Sequence, residues 1–426
     1  MQSENKAWIA QLESGALEAE LAWLYAGKTS RQAKRYAKAV KAFEACFGEQ
    51  PARIISVPGR TELCGNHTDH QRGRVLAAAV MLDMLAAAAP NGTSCIRMHS
   101  AGYGDTEISF ADLSICPEEV GKTAALVRGV ASRLSSLGYT VAGFDAYIVS
   151  DVPAGSGLSS SASFEVLIGE LFNRFYNGGK IPPIVLAQAG QYAENVYFGK
   201  PCGLMDQTAC AVGGAVEIDF FDPAKPGLNA IACDFGAMGH SLYVVDAGGS
   251  HAELTDEYAA IPAEMRAVAA RFGQDALRGV EPEAFYAGVK ALRGQVSDRA
   301  LLRAMHFFAE NGHVEAAADA LRAHDVERYK AAMHASGSSS MELLQNVWPG
   351  DAGERSVALA LAMSARILKG QGAWRIHGGG FAGTIQALVP QPLCQKYEQT
   401  MRGIFGQNAC QKLNIRPVGG YELTKK

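Results

Sequence analysis

The chain of 426 residues is 48% hydrophobic and 19% charged, a composition that supports a large buried core and about two or three domains. Its net charge of -4 gives no basic footprint for nucleic acid. The longest apolar stretch, residues 77–90, is interrupted by Asp83 and is too short to cross a bilayer. Nine scattered cysteines without a Cys-x-x-Cys pair, and an N-terminus without a signal pattern, predict a cytoplasmic protein. We therefore expect binding to neither nucleic acid nor membranes.

The beginning of the chain is predicted to be helical and then to enter a sheet. Apolar side chains recur at helical spacing over residues 1–48, where a polar break at 27–30 separates two helices. A short strand is expected at 54–57, ending at Pro58-Gly59. The alanine-rich stretch 75–89 fits a strand and a buried helix equally well.

The middle of the chain alternates strands and helices. A strand at 144–149 runs into a glycine loop, and apolar residues at helical spacing follow Ser159. The next helix is expected to begin at Pro182-Pro183 and to run through Tyr197. Alternation at 215–220, followed by turn residues, indicates a hairpin.

The C-terminal half begins with a strand at 241–245. Helical patterns dominate from about residue 253 to 346, and a glycine loop then leads into a strand within 377–389. These elements predict a mixed α/β protein of two lobes, with a boundary near 225–240.

The segment Pro153-Ala-Gly-Ser-Gly-Leu-Ser-Ser-Ser-Ala162 has the chemistry of a phosphate-binding loop. Gly155 and Gly157 allow backbone conformations that other residues avoid, and they let a ligand approach closely. Three serines follow where a helix begins, and the first turn of a helix offers free N–H groups and the positive end of its dipole. Because no Gly-Lys-Ser/Thr follows, the loop is not of the Walker type. A capped turn without a ligand is the alternative interpretation.

The segment Gly59-Arg-Thr-Glu-Leu-Cys-Gly-Asn-His-Thr-Asp-His70 places many polar groups between two apolar runs. Arg60, Glu62, His67 and Asp69 offer the donors and acceptors that recognition of hydroxyl groups requires. His67 and Asp69 could instead bind a metal, but two ligands without a third are a weak signal. A polar hairpin with solvated charges is the other interpretation.

Four segments resemble those of the GHMP kinase superfamily, named for galacto-, homoserine, mevalonate and phosphomevalonate kinases. The loop at 153–162 resembles its second motif, and Arg375-Ile-His-Gly-Gly-Gly-Phe-Ala-Gly383 resembles its third. The run from Gly59 to Leu76 resembles the galactokinase signature, and Cys202-Gly-Leu-Met-Asp-Gln207 resembles a galactokinase segment whose aspartate is the proposed catalytic base. The resemblance covers about residues 42–420 and leaves out the first 40 or so.

The resemblance implies an α/β (α+β) fold of two lobes. Its N-terminal lobe would be similar to ribosomal protein S5, and its C-terminal lobe would be ferredoxin-like. We therefore expect a helical extension at 1–48, an N-terminal lobe at 49–235 and a C-terminal lobe at 236–426.

The resemblance also implies an ATP-dependent sugar kinase that phosphorylates the anomeric hydroxyl of galactose. Asp206 would accept the proton of that hydroxyl, Arg60 would stabilise charge on the transferring phosphoryl group, and Ser161 and Glu194 would bind Mg²⁺. The implied contacts to ATP are Gly155, Ser156, Gly157, Leu158, Ser159, Ser160, Ser161, Gly379 and Gly380. The implied contacts to the sugar are Glu62, Asn66, His67, Asp69, Gly203 and Tyr258.

Three positions depart from the galactokinase pattern. Asn66 occupies the position of the family's glutamate, Glu62 that of its asparagine, and His70 that of its aromatic residue. Residues four apart lie on one face of an extended strand, so we hypothesise that Glu62 supplies the carboxylate that Asn66 lacks. The alternatives are a related sugar 1-kinase acting on galacturonate, arabinose or N-acetylgalactosamine, and a sugar- and ATP-binding regulator without turnover. In each case we expect a monomer or homodimer.

Overall fold

The computed structural model describes residues 4–153, 155, 157–248, 255–348, 353, 355–381 and 383–425. The helices are α1 (Glu4–Ser14), α2 (Glu18–Tyr25), α3 (Thr29–Phe47), α4 (Thr123–Ser136), α5 (Ser160–Tyr176), α6 (Pro183–Tyr192), α7 (Met205–Val212), α8 (Thr255–Ala270), α9 (Pro282–Leu292), α10 (Asp298–Arg322), α11 (Val326–Ser339), α12 (Ser356–Leu368) and α13 (Cys394–Phe405). The strands are β1 (Arg53–Cys64), β2 (Arg74–Pro90), β3 (Cys95–Ser100), β4 (Gly104–Ser109), β5 (Phe144–Ser150), β6 (Ala215–Asp219), β7 (Gly227–Ile231), β8 (His240–Asp246), β9 (Ala373–Ile376), β10 (Thr384–Pro390), β11 (Cys410–Leu413) and β12 (Tyr421–Glu422). Each helix of this described part is too short or too polar to span a bilayer.

Eight strands form the first sheet, in which β12, β1, β2, β5, β3 and β4 are neighbours in that order and β6 and β7 extend from β2. The prediction that the strand at 54–57 ends at Pro58-Gly59 is wrong, because β1 continues to Cys64. The pairing of β1 with β2 shifts register between Pro58 and Arg60. Such an irregularity accommodates a proline, which has no N–H for the ladder, without ending the strand.

The ambiguous stretch 75–89 lies within β2. Its side chains alternate between two buried layers, so that Ala86 and Ala88 pack with α4 to α7 while Leu85 and Ala87 pack with the N-terminal helices. A strand that is buried on both faces has a nearly continuous apolar sequence. This double burial is the reason why periodicity could not distinguish the strand from a buried helix.

The N-terminal helices α1, α2 and α3 cover one face of the first sheet. Trp8, Tyr36 and Phe43 are buried in one cluster with Leu85 of β2. The sequence analysis expected two helices here, and the structure has three. Gly15 has a φ of +81°, a left-handed conformation that ends α1 and separates it from α2.

The second sheet has four antiparallel strands in the order β11, β8, β10, β9. Tyr243 and Val245 of β8 pack with α12 and α13 on one face, and Leu242 and Val244 pack with α10 and α11 on the other. The sheet therefore has helices on both sides. The hairpin of β6 with β7 and the helical pattern after residue 253 are confirmed within the described residues.

The C-terminal segment returns to the first sheet, where β12 pairs with β1. Arg416 donates to the buried carboxylate of Asp83 in β2 at 2.8 Å, and Arg35 of α3 donates to its other oxygen at 2.5 Å. Tyr25 of α2 also donates to Asp83, at 2.5 Å. One buried carboxylate thus connects both ends of the chain to the sheet. The predicted domain boundaries at residues 48 and 235 remain a prediction.

Candidate active site

Four segments meet between the two sheets. They are the second half of β1, the loop that leads from β5 into α5, the start of α7, and the turn between β9 and β10. The sequence analysis assigned chemistry to each of them. Their meeting point is therefore the candidate active site.

Arg60 and Asp206 form a two-point ion pair at the centre of this site. Arg60 Nε donates to Asp206 Oδ1 at 2.6 Å, and Arg60 Nη2 donates to Oδ2 at 2.5 Å. The remaining nitrogen, Nη1, donates to the carbonyl oxygen of Gly157 in the glycine loop. Ser159 donates its hydroxyl to Asp206 at 2.7 Å. The two residues predicted to be catalytic therefore contact each other and the predicted phosphate loop.

The protonation state of Asp206 is set by opposing effects. Burial by itself raises the pKa of Asp206, but the charge of Arg60 and the hydrogen bonds from Arg60 and Ser159 outweigh it, so the pKa lies below its usual value. Asp206 is therefore an ionised carboxylate at neutral pH. Its side chain is 28% exposed, so its oxygens are accessible from the cleft.

The glycine loop has the backbone geometry of an anion-binding turn. Gly155 and Gly157 have φ of +72° and +71°, and α5 begins directly after Ser159, which has a φ of +57°. A Cβ at Gly157 would lie 2.6 Å from the Thr384 hydroxyl and 2.9 Å from the His377 ring. Only glycine fits there, because L residues avoid this φ and the third motif leaves no space.

The other predicted phosphate-loop residues differ in what they present. Leu158 is buried, and its carbonyl oxygen accepts from Arg60 N–H at 3.0 Å, so its side chain belongs to the core. Ser160 and Ser161 form the first turn of α5, where backbone N–H groups have no helical partner. Ser156 lies outside the described residues.

Ser161 and Glu194, the predicted metal ligands, are adjacent. The Ser161 hydroxyl lies 3.5 Å from Glu194 Oε1, and Glu194 also accepts from Lys200 at 3.3 Å and from Gln207 at 3.1 Å. Glu194 lies in a π-helical segment that continues α6 and turns its side chain into the site. In the described chain no set of three or more His, Cys, Asp or Glu side chains could hold a metal ion. This donor set fits Mg²⁺, which binds through one or two carboxylates together with phosphate oxygens of a substrate.

Asp69 and Gly203 contact each other at the predicted sugar end. Asp69 Oδ1 accepts from the backbone N–H of His70 at 2.9 Å. The second carboxylate oxygen packs against Gly203, where a Cβ would overlap it. The glycine of the Cys202–Gln207 segment is therefore required by the position of the Asp69 carboxylate.

His67 and Tyr258 hold the third glycine motif from two sides. His67 Nε2 lies 2.9 Å from the carbonyl oxygen of Gly379, and the Tyr258 hydroxyl donates to the carbonyl oxygen of Gly380 at 2.6 Å. Burial, aided by the charge of His70, lowers the pKa of His67 to about 3, so the ring is neutral and Nε2–H donates. A Cβ at Gly379 would lie 2.5 Å from the Tyr258 ring. Both predicted sugar residues thus contact the motif.

Glu62 and Asn66 face each other, but not as residues four apart on one extended strand, because β1 ends at Cys64 and Asn66 lies in the turn that follows. Asn66 Nδ2 donates to Glu62 Oε1 at 3.2 Å. The same Glu62 oxygen accepts from Arg375 at 2.7 Å in a buried ion pair. Asn66 also donates to the Gly378 carbonyl oxygen and accepts from Asn346 at 2.6 Å. Both side chains are thus engaged with protein groups, and a direct sugar contact of Glu62 remains a prediction.

Sequence reasoning missed two residues of α10 that hold the sugar segment from behind. The buried carboxylate of Glu310 accepts from the backbone N–H groups of Gly65 and Asn66 at 3.0 and 3.2 Å. His306 Nε2 donates to the Asn66 carbonyl oxygen at 2.8 Å. The available signal was a histidine and a glutamate four residues apart on the same buried side of the helix as Ala304 and Phe307.

A third missed residue is Glu165, one helical turn after Ser161. The Gln207 amide nitrogen donates to Glu165 at 2.9 Å and to Glu194 at 3.1 Å, so it bridges the two carboxyl groups. Burial, and then the charge of Glu194, raise the pKa of Glu165 well above its usual value. The raised pKa of Glu165 favours its neutral form beside Gln207.

Comparisons with known proteins find similar sequence families and similar folds. The model described as "GHMP kinases N terminal domain" matches residues 125–214, and the "Galactokinase galactose-binding signature" matches residues 41–90. Galactokinase of Lactococcus lactis, in complex with galactose, is similar with a TM-score of 0.78 and 23% identity over 90% of this chain and 98% of that one. Mevalonate kinase of Methanococcus jannaschii has a TM-score of 0.59 and 15% identity over 85% of this chain and 98% of that one. Phosphomevalonate kinase of Streptococcus pneumoniae, in complex with phosphomevalonate and AMPPNP, has a TM-score of 0.57 and 12% identity over 87% of this chain and 99% of that one.

The fold, the glycine loop at the start of α5 and the matched N-terminal domain define a kinase of the GHMP superfamily with its two-lobed fold. The match at residues 41–90 includes the segment that carries Arg60, His67 and Asp69. Within the chain, residues 41–90 match the galactokinase galactose-binding signature, and the fold is similar to that of galactokinase.

Proposed function

We propose that this protein transfers the γ-phosphoryl group of ATP to the anomeric hydroxyl of galactose, giving ADP and galactose 1-phosphate. The observation that carries this proposal is the contact of Arg60 with both Asp206 and Gly157. It joins a base, a cation and a phosphate loop in one cleft. The segment that matches the galactose-binding signature lines the cleft beside them.

The phosphate groups of ATP bind at the start of α5. The unpaired N–H groups of its first turn and the positive end of its dipole attract the phosphate oxygens. Gly155 and Gly157 let the backbone pass close to them. Gly379 and Gly380, held by His67 and Tyr258, close the site from the second sheet.

The sugar hydroxyl attacks the γ-phosphorus while the bond from phosphorus to the ADP oxygen breaks. An anomeric hydroxyl is far less acidic than a carboxylic acid, so its proton passes to Asp206 late, as the new bond forms. The low pKa of Asp206 suits this order, because the carboxylate is fully ionised before the reaction begins. Arg60 stabilises negative charge on the transferring group from its place between Asp206 and the loop.

Mg²⁺ would be held by the Ser161 hydroxyl and the Glu194 carboxylate together with the phosphates of ATP. When bound, it neutralises charge on the β- and γ-phosphates. Lys200 donates to the same Glu194 oxygen that Ser161 contacts, Gln207 donates to the other one, and both orient the carboxylate.

The sugar binds against Asp69 and Gly203. The carboxylate oxygen of Asp69 that faces Gly203 accepts a hydrogen bond from a sugar hydroxyl. Gly203 has no Cβ and therefore leaves room for this oxygen. Glu62 and Asn66 shape this wall through their contacts with Arg375 and Asn346. The protein acts in the cytoplasm as a monomer or homodimer.

The experiment that tests the proposal is coupled ADP release with the purified protein, Mg·ATP and a panel of free sugars. Galactose, galacturonate, arabinose and N-acetylgalactosamine are compared, and NMR of the product locates the new phosphate. We expect the highest kcat/KM with galactose and phosphate on the anomeric oxygen. ADP release with none of the sugars, or phosphate at another position, would refute the proposal.

A further inference from the structure

Helix α3 begins outside both matched segments of the chain, yet it reaches the base of the phosphate loop. Three residues of its first two turns surround the carboxylate of Asp151. Arg31 donates to Asp151 Oδ2 at 2.9 Å and Gln32 donates to it at 3.5 Å, while Arg35 Nη1 lies 3.6 Å away. Asp151 directly follows β5 and comes two residues before Pro153. The N-terminal extension therefore binds the point where the chain enters the loop.

The entry point is also fixed through the backbone of β2 and β5. Asp151 N–H donates to the carbonyl oxygen of Asp83 at 2.8 Å. Arg35 Nη2 donates to the same Asp83 oxygen at 3.0 Å and to the Val149 carbonyl oxygen at 3.2 Å. Arg35 thus joins the end of β5 to β2, and Arg31 adds a contact to the side chain that follows.

The opposite side of the loop rests on β1. A Cβ at Gly59 would lie 2.7 Å from the Leu158 carbonyl oxygen and 3.1 Å from a Val152 methyl group, so the two chains are in close contact. The next residue, Arg60, donates its backbone N–H to Leu158 at 3.0 Å. Val152 and Leu158 therefore pack against β1, and Asp151, directly before them, binds α3.

We propose that α3 is a positioning element for ATP binding, and that the Arg31–Asp151 pair fixes the direction in which the chain enters the phosphate loop. A loop with two glycines has many conformations when it is free, and ordering it around phosphates costs conformational entropy. If the backbone that leads into the loop is already fixed, part of this entropy cost has been met before ATP binds. The inference rests on the proposed function, because it takes this loop to be the ATP site.

The test compares single variants by nucleotide affinity and by steady-state kinetics. The side chain of Arg31 is 60% exposed, so Arg31→Ala leaves the core intact. We expect its Kd for AMPPNP, measured by calorimetry, and its KM for ATP to rise about two- to fivefold, as an ion pair near the surface allows. The KM for the sugar and the thermal midpoint stay at wild-type values. Arg31→Lys, which keeps the cation, restores most of the affinity.

Asp151→Ala removes the shared partner of all three α3 side chains, so we expect a larger loss of affinity, on the order of tenfold. The double variant Arg31→Ala/Asp151→Ala should equal Asp151→Ala alone, because the pair is already broken. Lys41→Ala is the matched control, since Lys41 lies on the same helix and forms an exposed ion pair with Glu13 at 3.0 Å. It should bind AMPPNP like the wild type.

Wild-type affinity for AMPPNP in Arg31→Ala and Asp151→Ala would overturn the inference. So would a parallel loss of thermal midpoint and kcat with nucleotide affinity unchanged, because that is the result of a merely structural contact. Failure of the proposed function is distinct, since the wild type would then bind AMPPNP but release no ADP with any sugar. A wild type that binds no AMPPNP would overturn both.

Discussion

Replacement of Asp206 by asparagine separates its role as a base from its role as a packing group. The side chains have the same shape, so Asp206→Asn keeps the volume at the start of α7. The substitution removes the negative charge that forms the ion pair with Arg60. One of the two Arg60–Asp206 hydrogen bonds then becomes a donor facing a donor.

The magnitude follows from two separate losses. Loss of a positioned base slows phosphoryl transfer by about 10²–10⁴-fold. Breaking a fully buried ion pair costs about 3–5 kcal/mol, but Asp206 is 28% exposed and solvent screens the exposed side, so we expect a stability loss of about 1–2 kcal/mol. The variant therefore folds and binds ATP, and its kcat falls at least about a hundredfold.

The assay combines coupled ADP release, AMPPNP calorimetry and chemical denaturation. Asp219→Asn is the matched control, because Asp219 is a 23% exposed aspartate that binds two arginines, Arg74 and Arg278, at 2.8 and 2.9 Å. It should lose similar stability and keep kcat. Near wild-type turnover in Asp206→Asn, or an equal loss of turnover in both variants, would refute the assignment of Asp206 as the base.

Three further perturbations address the sugar end and the pH dependence. Gly203→Ala places a methyl group on the Asp69 carboxylate, so the KM for galactose should rise at least about tenfold in steady-state assays while the KM for ATP is unchanged. The double variant Glu62→Asn/Asn66→Glu exchanges the two facing side chains. It should recover at least about 1 kcal/mol of the free energy of unfolding that the single variants lose, because one carboxylate again faces one amide near Arg375. A stability loss in the double variant equal to the sum of the two single losses would contradict this. Arg60 holds the pKa of Asp206 below its usual value, so kcat/KM should stay constant from neutral pH through the ordinary aspartate range and fall only below it. The ion pair contributes its full stability above the unfolded pKa of about 3.9. This stability should be lost as the pH falls through the lower pKa of the folded state. A midpoint of activity near pH 6 would show that another group controls the rate.

The local part of the site could be predicted from the sequence because its chemistry is encoded in short runs. The glycine loop before α5 needs left-handed backbone at Gly155 and Gly157 and free N–H groups after Ser159, and all of these lie within seven residues. The pairing of Arg60 with Asp206 required the resemblance as well, since 146 positions separate them. Without the resemblance, the segment of Arg60 fits a polar hairpin with solvated charges, and Asp206 fits an ordinary cap or turn residue.

The supporting part of the site could not be predicted, because it depends on contacts between distant elements. Glu310 and His306 reach the Asn66 backbone from more than 200 positions away, and neither lies in a recognisable motif. The continuation of β1 past Pro58 likewise depends on its pairing with β2. A proline is an ordinary end of a strand, and only the register shift in the partner overrides that preference.

The exchanged residues at 62 and 66 show how a departure from a motif can preserve its physics. The two side chains face each other at 3.2 Å, so a carboxylate at one position and an amide at the other keep the same pair and the same net charge whichever way round they stand. What changes is the neighbour of the carboxylate. With glutamate at 62, the charge lies against Arg375, while the amide at 66 donates to Gly378 and accepts from Asn346, contacts that use both its donor and its acceptor. A carboxylate at residue 66 could not donate to Gly378. The third glycine motif would then lose one of its hydrogen bonds to the loop that follows β1. The arrangement in this chain therefore gives up a charge at residue 66 and gains a hydrogen bond that holds the glycine turn in place.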